Sequence, residues 1–203
     1  MRFCFQKIAV FPLAAVLLWG ASSVAEAHDT LRLGPFAGGI LHPLETPAHL
    51  LLLTGLGLLL GRTPPFRLGR FLGFFAPLAA MGILLTLADH AAPVPVILTA
   101  ALATGVGALL ASGWSSPRVL DAALLAIGGF VIGLDSGFVN PSPLVVAKVL
   151  FGNWVSLLVI TGYLAFYVSF LPPAPWVRIG IRVLGSWLVA ISLLVPATSA
   201  LGR

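Results

Sequence analysis

The sequence predicts an all-α fold, an integral membrane bundle of six transmembrane helices that follows a cleaved signal peptide. Three observations carry that reading. Hydrophobic residues make up 59% of the 203 and charged residues 8%, against about 45–50% and 25% in soluble domains. Apolar runs close to the length of a bilayer-crossing helix recur along the chain with prolines between them, and no connection is long enough to hold a soluble domain. The balance is basic, eleven Lys+Arg against six Asp+Glu. Those cations are scattered between apolar runs rather than gathered on one solvated face, which excludes nucleic acid as a partner and leaves the lipid bilayer. A lone cysteine, Cys4, excludes an intramolecular disulfide framework and a thiolate metal cluster.

Residues 1–27 read as the leader. Arg2 and Lys7 precede an apolar stretch from Ile8 to Gly20, and Ala25-Glu26-Ala27 closes it. A basic start, a short apolar core and an A-x-A site are the parts of a secretory signal. Cleavage there makes His28 the mature N-terminus, outside the cytoplasm, and leaves residues 28–203 as one transmembrane domain. The loss of Arg2, Lys7 and Glu26 takes eleven basic and six acidic residues to nine and five.

A crossing helix needs about 20 apolar residues, and six segments approach that: 46–61, 68–88, 94–112, 119–136, 144–170 and 176–199. Pro64-Pro65, Pro93, Pro95, Pro117, Pro141, Pro143 and the prolines from Pro172 to Pro175 punctuate them, as helix stops do. An outside N-terminus puts Arg62, Arg67, Arg70, Arg118, Arg178 and Arg182 in the cytoplasm, and leaves Arg32, Lys148 and Arg203 outside. That asymmetry satisfies the positive-inside rule and, with six spans, sets the C-terminus outside as well.

The same orientation sends every mature histidine outward: His28, His42, His49 and His90. Asp29, Glu45, Asp89 and Asp135 go with them, and Asp121 alone lies near the cytoplasmic side. Imidazoles with carboxylates suit Ni, Co, Zn, Cu or Fe rather than Mg or Ca. The densest cluster runs from Gly38 to His49, where His42, Glu45 and His49 are spaced i, i+3 and i+7, one face if the segment is helical. Thr46-Pro47 reads as an N-cap with proline at N1, so the long helix starts there and His42 to Glu45 forms a separate turn over its end. A histidine at the head of an apolar run needs a reason, because burying an unpaired ionisable group is expensive. The structural alternative is His49 hydrogen-bonded to Glu45 or to a backbone carbonyl.

His28, the glycines Gly34 and Gly38, and His42-Pro43-Leu44 followed by His49 and a leucine run resemble the HupE/UreJ family. The resemblance covers the mature chain in length and topology, and its specific motif lies in residues 38–54. It implies a small bacterial inner-membrane protein with a cleaved signal, six spans and both mature termini on the periplasmic side. It also implies a role in nickel or cobalt uptake for hydrogenase and urease. The family pattern is a His, five residues, then Asp-His. Here His42 and His49 match and Ala48 stands where the Asp is expected, with Glu45 one turn earlier as a substitute carboxylate. The family also carries a His-rich motif near its fourth or fifth span, whereas this chain has no histidine after His90. Asp135, in Gly133-Leu134-Asp135-Ser136-Gly137, is a substitute ligand there, and Asn153 is a neutral oxygen donor lining a path.

The sequence therefore points to a metal-handling permease, not an enzyme. Its metal residues are His28, His42, Glu45, His49, Asp89, His90 and Asp135; the ion, transported or bound, is Ni, Co or Zn, and the sequence assigns no firm cofactor. Asn153, Thr99, Thr104 and Thr54 are the polar candidates deeper in the bundle. Two alternatives stay open: a non-catalytic assembly subunit binding a membrane or metalloenzyme-maturation partner, and a zinc hydrolase with Glu45 as base. The H-x-x-E-x-x-x-H spacing is not that of the zincins. Lys148 either snorkels to the interface or pairs with Asp135, and Asp121 pairs with Arg118 at i, i+3. Gly55 and Gly57, Gly105 and Gly107, and Gly128, Gly129 and Gly133 form small-residue surfaces for close helix packing.

Overall fold

The computed structural model describes residues 34–62, 68–88 and 94–201, and every regular element among them is helical. The helices are α1 (Pro35–Glu45), α2 (Pro47–Gly61), α3 (68–85), α4 (Val96–Ser112), α5 (Arg118–Leu134), α6 (Pro143–Ser169) and α7 (Pro175–Leu201). The proposed signal peptide 1–27, His28, Asp89 and His90 lie outside the described residues. Helices α2 to α7 fall on the six apolar segments, and α1 is an addition where the sequence suggested a turn. By length and composition, α6 and Pro175–Pro196 of α7 suffice to cross a bilayer, with α1 and α2 together as a third, bent candidate.

Proline sets the helix starts. Pro35, Pro47, Pro143 and Pro175 are first residues of their helices, and Pro95 and Pro117 directly precede α4 and α5. The first helical N–H has no intrahelical partner, so proline loses nothing there and its φ is already helical. Gly113, at φ 69°, closes α4 in the left-handed region where glycine avoids a Cβ clash. Within α3 the turn Phe71–Phe75 is π-helical. That wider turn stacks two buried rings, Phe71 and Phe75, with centroids 5.3 Å apart.

Helix α2 is the axis of the bundle. It is apolar on every side, as a helix surrounded by protein must be, and eleven of its fifteen residues are buried. It packs most on α6 and α4, and also meets α1, α5 and α7. Around it the helices pair as α4 with α7, α1 with α6, and α3 with α5. Each pair closes on glycines that leave no room for a Cβ. Gly39 lies against the Val149 carbonyl, with Gly152 against that of Phe36; Gly82 lies against the Phe130 carbonyl, with Gly133 against that of Ala79; and Gly107 and Gly185 face each other. The small-residue surfaces thus act as helix seams, except Gly105, beside which a Cβ would meet nothing within 4 Å. The outward faces are apolar: Leu84, Ile97, Tyr163, Phe170, Trp176, Trp187 and Leu194 are exposed, a surface that belongs in lipid.

Candidate functional site

The site begins with a break in the chain. Pro47 disfavours helical backbone at the residue before it, and Thr46 is extended at φ −99°, ψ 104°. The expected cap position holds, but the Thr46 hydroxyl makes no cap bond to α2. It donates back to the His42 carbonyl at 3.2 Å. Helices α1 and α2 therefore meet at 79°. In a continuous helix, residues seven apart are displaced by about 10 Å along the axis. Here the rings of His42 and His49 come to 5.6 Å between centroids, edge to face at 71°. The single-face reading of His42, Glu45 and His49 gives way to a fold-back that gathers the two histidines and leaves Glu45 exposed.

Helix α1 is seated on α6. Gly39 rests on the α6 backbone at Val149 and Asn153, and Ser156 Oγ donates to the Ile40 carbonyl at 2.7 Å. Asn153 is buried where α6 meets α1 at Gly39. Trp154, its neighbour, donates to the Ala76 carbonyl of α3 at 3.0 Å and so ties α6 to α3.

His49 is 1% exposed. Its Nε2 lies 2.8 Å from Oδ2 of Asp135, 86 residues away. Asp135 ends α5, its backbone N–H bonded to the Val131 and Gly133 carbonyls, and its side chain keeps 21% of its exposure. Ser136, next in line, is buried and bonded back to the Ile132 carbonyl. The Asp135 carboxylate is thus held by a fixed helix end and paired with His49, not with Lys148, which is exposed.

What this arrangement leaves open is specific. His42 Nε2, His49 Nδ1 and Asn153 Oδ1 are buried without a hydrogen-bond partner among the described residues. An unsatisfied buried polar atom costs about 1–3 kcal/mol, and two of these three are imidazole nitrogens on neighbouring rings. Among the described residues no three His, Cys, Asp or Glu side chains gather closely enough to hold an ion. The arrangement is therefore an imidazole pair with a carboxylate behind one ring. Of the path candidates, the Thr99 hydroxyl is also buried and unpartnered, whereas Thr104 is bonded back to the Ala100 carbonyl.

A second polar cluster sits at the other end of α2. Arg62 donates to the Trp114 carbonyl at 3.2 Å and to Ser116, and lies 3.4 Å from Asp121; Ser116 in turn donates to Asp121. This corrects the expected Arg118–Asp121 pair: Arg118 is exposed, and the buried carboxylate takes the cation from α2. Only spacing along one helix was visible in the sequence, and the partner came from another.

Apolar outward faces around a bundle of helices define an all-helical membrane protein. The chain belongs to the HupE/UreJ family: it matches the family model described as HupE / UreJ protein over residues 15–195. Comparison with curated proteins and with solved structures gives no match.

Proposed function

We propose that this protein is a permease or metal-handling protein of the bacterial inner membrane for a divalent transition metal of the nickel or cobalt kind. In this reading residues 1–27 are removed, residues 28–203 cross the membrane six times, and both mature termini face the periplasm. One observation supports it above the others: His42 and His49 meet with Nε2 of one and Nδ1 of the other buried and without a partner among the described residues. Neutral imidazole nitrogens take Ni, Co or Zn in preference to Mg or Ca. A site built around two of them binds its cargo and still releases it, which transport requires. His28, Glu45, Asp89 and His90 serve as outer capture residues, and Asn153 lines the way inward. The hydrolase alternative needs Glu45 as a base beside the imidazoles, and Glu45 is exposed.

The test is metal accumulation by cells expressing the full chain, paired with metal analysis of detergent-purified protein. The double variant His42→Ala/His49→Ala is expected to lose both accumulation and binding while remaining in the membrane. Normal accumulation by that variant, with no Ni, Co or Zn on the purified wild type, overturns the reading.

A further inference from the structure

The carboxylate behind His49 has its own role to account for. A carboxylate oxygen accepts, so the 2.8 Å contact to Asp135 Oδ2 places the ring proton on Nε2 of His49. The lone pair then lies on Nδ1, the nitrogen that is buried and has no partner among the described residues. Imidazoles that hold a metal commonly give their other N–H to a carboxylate, which fixes the tautomer and makes the free nitrogen more basic. Asp135 is suited to that task because the helix end that carries it is packed in place. Its backbone closes α5, and α5 is locked to α3 where Gly133 lies on the Ala79 carbonyl and Gly82 on that of Phe130.

We propose that Asp135 is the positioning residue of the histidine pair: it accepts the Nε2 proton of His49 in a hydrogen bond, so that His49 Nδ1 and His42 Nε2 are the nitrogens offered to the cation. This rests on the reading of the pair as a metal site, and it changes Asp135 from a ligand to the group that orients one. The carboxylate comes from α5 and the imidazoles from α1 and α2, so the nitrogen pair is complete only when the α3–α5 unit is docked.

Two measurements on the purified full chain test it, each on wild type, Asp135→Ala and Asp135→Asn. The first is Ni²⁺ affinity. Asp135→Ala is expected to weaken it about 10- to 100-fold, the usual loss when a ligand's orienting partner goes. Asp135→Asn keeps an accepting oxygen and is expected to retain most of the affinity. The second needs no metal: nitrogen NMR of histidine-labelled protein, with the His49 signal assigned by its loss in His49→Ala. It should show the Nε2–H tautomer in wild type and Asp135→Asn, and a tautomer mixture in Asp135→Ala. An unchanged tautomer in Asp135→Ala overturns the proposal. So does an Asp135→Asn variant as damaged as Asp135→Ala whose Co²⁺ X-ray absorption shows a carboxylate lost from the metal. If wild type holds the tautomer yet binds no Ni²⁺, the transport reading fails and the positioning of His49 stands.

Discussion

Helices α2 and α5 run antiparallel, and an acid–base pair joins them at each end. His49 near the start of α2 meets Asp135 at the end of α5; Arg62 at the end of α2 meets Asp121 near the start of α5. Both carboxylates pair across the bundle, but the two ends differ in what they leave unfilled. At the Arg62 end the guanidinium reaches a carbonyl, a hydroxyl and a carboxylate, and Ser116 bridges to Asp121. At the His49 end one ring nitrogen is bonded, while its Nδ1 and the neighbouring Nε2 of His42 have no partner among the described residues. Polar groups that satisfy one another hold helices together. Buried polar atoms left without a partner are the ones that a ligand can satisfy. In the proposed reading the two ends divide between anchoring and binding, and substitutions at each should move different observables.

The largest effect is expected from Arg62→Met, which keeps the side-chain stem and removes the charge. Taking one partner from a buried ion pair strands the other, at about 3–5 kcal/mol, so thermal unfolding in detergent should fall markedly. Ni²⁺ affinity of the protein that remains folded should not change. His42→Ala should show the opposite split, with affinity lost and a smaller drop in stability. If Arg62→Met weakens Ni²⁺ binding as strongly as His42→Ala, the two ends are not separate in function.

The contrast between the ends also marks what the sequence made legible. Starts of α2 and α4 to α7 were readable because proline at a helix start acts through its own ring and its missing N–H, which needs no distant partner. Helix α1 was not readable. Eleven residues with two glycines and Pro43 make a poor helix alone, and this one forms against α6, where Gly39 and Gly152 let two backbones touch. That His42, His49 and Asp135 each need a reason was visible from the scarcity of charge. Their pairing was not, because the Pro47 break and the antiparallel run of α2 and α5 create it. The same long-range geometry displaced the Arg118–Asp121 pair that local spacing suggested.

An intermediate effect is expected where anchoring and binding share a seam. A Cβ at Gly39 would overlap the Val149 carbonyl and come within 2.9 Å of the Asn153 nitrogen. Gly39→Ala must lift α1 from α6, and overpacking of this kind costs about 1–3 kcal/mol. His42 lies three residues further along α1, so the shift carries its ring away from His49. Stability and Ni²⁺ affinity should therefore fall together, unlike in either variant above. A drop in stability with unchanged affinity would mean that the seat of α1 on α6 does not set the spacing of the two rings.

The smallest effect belongs to a glycine of the same appearance in the sequence. Gly105 stands two residues from Gly107, yet a Cβ there meets nothing within 4 Å, while one at Gly107 would press on the Gly185 carbonyl at 2.9 Å. Gly105→Ala adds no contact and removes the conformational freedom that glycine brings to the unfolded helix, a gain of about 0.5–1 kcal/mol. Gly107→Ala pushes α4 off α7 and should lose stability. Both lie away from the histidine pair, so neither should change Ni²⁺ affinity. Unfolding curves for the two variants, read with their affinities, separate helix propensity on the open face of α4 from helix packing on the face against α7. If Gly105→Ala proves as harmful as Gly107→Ala, Gly105 is itself in contact with a neighbour, and α4 carries a packing face toward something other than α7.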